Sequence, residues 1–137
     1  MSTFVLDASG LLAYLQDEDG GSEVEEALAQ TGTIGTVNLA EALSTVALHG
    51  ADPRQVIGEL EARGILGGLL EVEPLTTDDA IAIAELRPPT KDRGLSLGDR
   101  ACLALGMRLG LPVMTADRAW SELESVIDGV QIYSIRS

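Results

Sequence analysis

Four acids in this chain stand at the edges of apolar segments. Asp7 follows the run from Thr3 to Leu6, and Glu41 falls in the first turn of an apolar helical stretch. Asp99 lies in the first turn of a helix that is apolar on nearly every other side, and Asp117 comes just after Val113 to Thr115. Brought together, such groups have few options. Two carboxylates about 4 Å apart repel by roughly 4 kcal/mol at an effective dielectric of 20. Four in one place would take up protons or capture a cation. Oxygen-only donors favour hard cations, Mg²⁺ or Mn²⁺, and a carboxylate-held ion with open positions acts on phosphate. Each acid also has a plain structural reading. Ser96 with Asp99 three residues on makes a capping box, Asp7 suits an N-cap, and Glu41 complements a helix dipole.

The elements that must position these acids alternate between strand and helix. Thr3 to Leu6 reads as a strand, followed by a helix carrying Leu11, Leu12 and Leu15. After an acidic turn, Ser22 is expected to cap a helix running to about Gln30. Thr33 to Val37 reads as a second strand, and Asn38 as the cap of a helix over 39–49. Pro53 starts another helix. Leu70 to Leu75 alternates apolar and acidic residues, as an exposed edge strand does. Thr77 is expected to cap a helix that Pro88 and Pro89 stop. The Ser96-capped helix ends at Gly110, Val113 to Thr115 is a short buried strand, and Val130 to Ile135 reads as the last one. The pattern predicts an α/β domain with a mostly parallel sheet. In such sheets functional groups gather at the carboxyl ends of strands. Strand order is not readable from the pattern, so convergence of the four acids is an expectation, not a deduction.

Length and composition agree with a single domain over residues 1–137. Hydrophobic residues make up 45% of the chain, enough for a core. The single cysteine, Cys102, excludes an intramolecular disulfide and a cysteine-rich zinc site, and suits a reducing cytosol. No segment reads as a signal peptide or membrane span. The formal charge of -13 makes a surface that repels nucleic acid by default. Six of the nine bases (Arg87, Lys91, Arg93, Arg100, Arg108 and Arg118) lie between 87 and 118. That region is the expected face for a polyanion, or else a set of solvated helix-surface arginines. His49, the only histidine, reads as a helix C-terminal dipole partner and takes no role. Trp120 is expected to cover the core edge, with stacking on a base as the lesser alternative.

Four segments carry a resemblance. Val5-Leu6-Asp7-Ala8-Ser9, Asn38-Leu39-Ala40-Glu41, Leu95 through Ala104 (LSLGDRACLA) and Thr115-Ala116-Asp117-Arg118 resemble the four motifs of PIN-domain ribonucleases, in order and over essentially the whole chain. Among these the chain looks most like the VapC toxins of toxin–antitoxin pairs. The resemblance implies a three-layer α/β/α sandwich around a parallel sheet, metal-dependent endoribonuclease activity, a homodimer, and inhibition by a VapB-type antitoxin. Carried over, Asp7, Glu41, Asp99 and Asp117 would hold Mg²⁺ or Mn²⁺. Ser9 and Thr115 match polar positions lining the family's site. Arg100, beside Asp99, either touches RNA backbone or makes a surface salt bridge. The implied chemistry is hydrolysis by an activated water, leaving a 5′-phosphate and a 3′-hydroxyl.

Other classes remain to be weighed. A phosphoacceptor receiver domain needs a carboxylate pair after its first strand and a late lysine; here one Asp stands there and the only lysine is Lys91. A noncatalytic binding module would leave the acids as caps. A housekeeping RNA-processing PIN nuclease would keep the site without the antitoxin.

Overall fold

In the computed structural model, which describes residues 1–136, five strands form one wholly parallel sheet. The strands are β1 (Val5–Leu6), β2 (Gly32–Gly35), β3 (Leu70–Glu73), β4 (Val113–Thr115) and β5 (Ile132–Ser134). Their order is β3-β2-β1-β4-β5. Parallel neighbours need crossovers, and helices supply most of them: α1 (Ala8–Leu15) and α2 (Gly21–Leu28), then α3 (Thr36–Leu48) and α4 (Pro53–Ala62), then α5 (Thr77–Glu85) and α6 (Leu97–Leu109). A 3₁₀ segment, Arg118–Ser125, joins β4 to β5. The chain winds outward from β1 to β3, then crosses back to lay β4 on the other side of β1. The carboxyl ends of β1 and β4 therefore border the point where the winding reverses, which is where open parallel sheets keep their crevice.

Alternation along the strands builds a core on each face of the sheet. Leu6, Ile34 and Met114 pack with Leu11, Val24, Leu28 and Leu39 from the first helices. Val5 and Val113 pack with Ile83, Leu103, Leu105, Trp120 and Leu123 on the other face. The result is the three-layer α/β/α sandwich. The acid-bearing strand β3 lies at one edge, as its charge pattern predicts, and β5 at the other. Among the described residues no helix is long and apolar enough to cross a membrane.

Several helix starts differ from the sequence reading. Helix α2 begins at Gly21 behind Gly20, whose φ of 96° is left-handed, so the turn rests on a glycine and not on Ser22. Thr76, not Thr77, caps α5, closing a box with Asp79. Helix α3 begins at Thr36, two residues before Asn38. Asn38 thus lies inside the first turn, buried, and is free for other work.

Candidate active site

Asp7 is placed by three kinds of donor. It caps α1, accepting from the Gly10 backbone N–H at 2.8 Å. The Ser9 hydroxyl donates to it at 2.8 Å and the Thr115 hydroxyl at 2.6 Å. Those hydroxyls in turn accept from the loop after β4: Ala116 N–H reaches Ser9 Oγ, and Asp117 N–H reaches Thr115 Oγ1, both at 3.0 Å. Ser9 and Thr115 therefore tie the acid at the end of β1 to the backbone that carries Asp117. Burial pushes the Asp7 carboxyl up to about 6; the charge of Asp99 adds to this, while the bonds from Thr115, Gly10 and Ser9 pull the other way.

Glu41 is positioned by Asn38. One amide nitrogen, Asn38 Nδ2, donates to Glu41 Oε1 at 2.8 Å and to the Gly98 carbonyl at 2.9 Å, stitching α3 to the first turn of α6. A side chain at Gly98 would overlap the Glu41 carboxylate. Glycine inside a helix costs about 1 kcal/mol against alanine; here it lets a carboxylate lie against the helix backbone. Burial raises the Glu41 carboxyl above its ordinary value, and Asp99 adds to the rise.

Asp99 closes the capping box of α6: Asp99 N–H reaches Ser96 Oγ at 3.1 Å and Ser96 N–H reaches Asp99 Oδ2 at 2.9 Å. Asp117 caps the 3₁₀ segment, accepting from Ala119 N–H at 3.0 Å. The capping interpretations of Asp7, Asp99 and Asp117 thus hold. For Asp99 and Asp117 the cap occupies only one oxygen. Among the described residues Asp99 Oδ1, Asp117 Oδ2 and Glu41 Oε2 accept no hydrogen bond.

All four acids line one cleft of ≈ 250 Å³, with Ser9, Asn38, Thr45 and Trp120. Among the described residues no Lys, Arg or His lines it. Among the described residues no three acidic, histidine or cysteine side chains close around a common point, so the cleft offers donors without a finished cage. The donor set fits a hard divalent cation: oxygen only, three oxygens uncommitted, and a buried carboxyl with no positive partner. Trp120 is buried in the α5–α6 core and lines the cleft; its Nε1 has no hydrogen-bond partner among the described residues.

The structure sorts the arginines. Arg100 Nη1 donates to the Ile83 carbonyl at 2.9 Å, and the residue lines an apolar hollow between α5 and α6, not the carboxylate cleft. Arg108 grips Asp79 and reaches Glu73; Arg93 pairs with Glu122. The basic stretch from 87 to 118 is thus dispersed over several surfaces. The sequence reading missed Asn38 as a site residue because an Asn before a helix looks like a cap. The signal was available in its three-residue spacing to Glu41, which puts both on one helix face.

A parallel α/β sandwich with clustered carboxylates where its winding reverses defines a class of acid-centred domains. The PIN-domain family model matches residues 4–126, and the chain belongs to that family. Comparison with curated protein sequences finds no match. Among solved structures, the chain is similar to a toxin–antitoxin complex from Klebsiella pneumoniae (TM-score 0.71, 17% identity, 96% of this chain and 99% of that one). It is similar to the toxin–antitoxin protein VapBC-5 from Mycobacterium tuberculosis (TM-score 0.64, 26% identity, 98% and 99%). It also resembles the sarcin–ricin-loop-cleaving toxin VapC20 from Mycobacterium tuberculosis (TM-score 0.69, 14% identity, 88% and 95%).

Proposed function

We propose that this protein is a divalent-metal-dependent endoribonuclease, acting in the cytoplasm as the toxin of a VapBC-type pair and held in check by a VapB-type antitoxin. The observation that carries the proposal is the single cleft lined by Asp7, Glu41, Asp99 and Asp117 with no protein cation among its walls. The toxin–antitoxin neighbours support the biological setting.

Glu41, Asp99 and Asp117 would hold Mg²⁺ or Mn²⁺ through the oxygens their hydrogen bonds leave free, with Asp7 beside them. When bound, such an ion supplies an activated water and neutralises charge developing on phosphate. The chain's own residues do the rest. Asn38 fixes the Glu41 carboxylate, and Gly98 gives it room. Ser9 and Thr115 hold Asp7 in one orientation and couple it to the loop of Asp117. In the metal-free chain burial lifts the Asp7 carboxyl to about 6, and a cation beside it would favour the charged form.

The observation that Asp7 and Asp117 are N-caps and that Asp99 completes the capping box of Ser96 favours a second reading, a noncatalytic PIN-fold module. One variant separates the two. Asn at 99 keeps a side-chain oxygen that can accept from Ser96 N–H but removes a ligand charge. Purified protein free of antitoxin should cut a structured RNA pool with Mn²⁺ or Mg²⁺ and not with chelator. Asp99→Asn should lower cleavage at least about 100-fold, since even partners of metal ligands are worth 10–100-fold. Equal metal binding and cleavage in the variant would sink the nuclease reading.

A further inference from the structure

We infer that Arg118 and Arg136 form a phosphate subsite for the RNA strand beside the carboxylate cleft. The inference rests on the nuclease reading above and names how the strand is held. A second cleft, of ≈ 600 Å³, shares Ser9 and Asp117 with the carboxylate cleft, so the two run into one another. Their charge differs. The first is walled by four acids and no base; the second sets two guanidiniums, Arg118 and Arg136, beside the acids Asp19 and Asp117.

Arg118 opens the last crossover, and Arg136 follows the strand that the crossover leads to. Arg118 follows Asp117 directly and is exposed. Its side chain has no hydrogen bond or ion pair among the described residues, unlike those of Arg93, Arg100 and Arg108. Arg136 lies just beyond β5. Its Nε donates to the Asp19 carbonyl at 2.8 Å, while Glu18 stands 3.8 Å from Nη2. The loop between α1 and α2 therefore holds the Arg136 guanidinium at the cleft through the Asp19 carbonyl and a long ion pair with Glu18. The Asp19 side chain shares the cleft, so the subsite is tuned and not simply basic.

Physical need agrees with placement. A surface of net charge -13 repels a polyanion, and four carboxylates around the scissile bond repel it further. A strand that enters must be held by its neighbouring phosphates. The guanidinium fork suits phosphate oxygens and stays charged at every working pH. Arg118, one residue from Asp117, places such a fork immediately beside the reacting centre.

The test uses the full chain carrying Asp99→Asn, so that RNA is not cut, and a fluorescein-labelled single-stranded RNA oligonucleotide with Mg²⁺. Fluorescence anisotropy is read over a salt series. Arg118→Glu should weaken binding about 10-fold or more. Each lost contact should lower the slope of log K against log salt by about 0.7. Arg136→Ala should act in the same direction and Arg136→Lys less, while Arg54→Glu, on helix α4, should leave the slope unchanged. Arg118→Glu removes no internal contact, and its melting temperature should match the parent's. Unchanged affinity and slope in Arg118→Glu and Arg136→Ala, or no oligonucleotide binding by the parent, overturns the inference. So does a loss confined to binding of a protein partner. If the oligonucleotide depends on both arginines while the wild-type chain never cuts RNA with metal, the nuclease reading falls and the phosphate subsite stands.

Discussion

Helices α5 and α6 open with the same device in opposite surroundings. Thr76 and Asp79 close a reciprocal capping box, and so do Ser96 and Asp99. At α5 the acid is met by Arg108, whose Nε lies 2.8 Å from Asp79 Oδ1 and whose Nη2 bonds Oδ2. That pairing, with the bonds from Thr76, holds the Asp79 carboxyl below its ordinary range despite burial. At α6 no base answers. Asp99 faces two further carboxyls, and its charge helps raise both Asp7 and Glu41. A capping box thus says where a helix starts and nothing about use. What surrounds the acid decides whether a base neutralises it or it is left facing other carboxylates.

The contrast can be broken by one substitution at each box. Asp99→Asn should cost at least about 100-fold in metal-dependent cleavage and almost nothing in urea stability, because the cap survives. Asp79→Asn should do the reverse. Losing the Arg108 pair should cost about 2 kcal/mol by urea unfolding, with cleavage by the remaining folded protein intact. The pH dependence carries the sign. Because its folded value lies below the ordinary 3.8, Asp79 contributes stability above that pH and loses it as pH falls through the folded value. The two proteins should converge in strong acid.

Asp7 shows the opposite shift. Its folded value is raised, so the wild type is relatively most stable below 3.8 and loses stability as pH rises through about 6. Asp7→Asn in metal-free protein should therefore gain about 1–2 kcal/mol at pH 7.5. This is part of the roughly 3 kcal/mol that full relief would release, since an amide matches the Ser9 and Thr115 hydroxyls less well. The gain should vanish near pH 4 and shrink in millimolar Mg²⁺, which should stabilise the wild type more than the variant. Thermal melts across pH, with and without metal, measure this directly. The smallest effect belongs to Thr115→Val. It removes one donor to Asp7 and one acceptor for Asp117 N–H, for about 1 kcal/mol by urea titration.

The same comparison explains how much could be read before folding. Capping boxes and apolar runs are local, so the acids at element edges and the α/β alternation were visible in the chain. Their meeting was not. It depends on β4 returning to lie beside β1, a pairing across more than a hundred residues that no local pattern encodes. Arg108 and Asp79, 29 residues apart, show the same blindness: one base of the polyanion-facing stretch turned out to be committed to the fold. Asn38 was hidden by resemblance to a cap, although its amide joins Glu41 to the carbonyl of Gly98. Arg100, adjacent to Asp99 in sequence, is turned by the helix toward Ile83, since neighbours on a helix do not share a face.

Cys102 lies one turn beyond Asp99, wholly buried. Burial, with the charges of Asp7, Glu41 and Asp99, holds its thiol well above the ordinary value. A thiolate is what oxidants and alkylating reagents attack, so the folded chain is indifferent to both. The sole cysteine says little about the redox state of the protein's surroundings. It serves instead as a silent label: a thiol-reactive dye added to the intact protein should react only with molecules that have opened α6, counting unfolding events one by one.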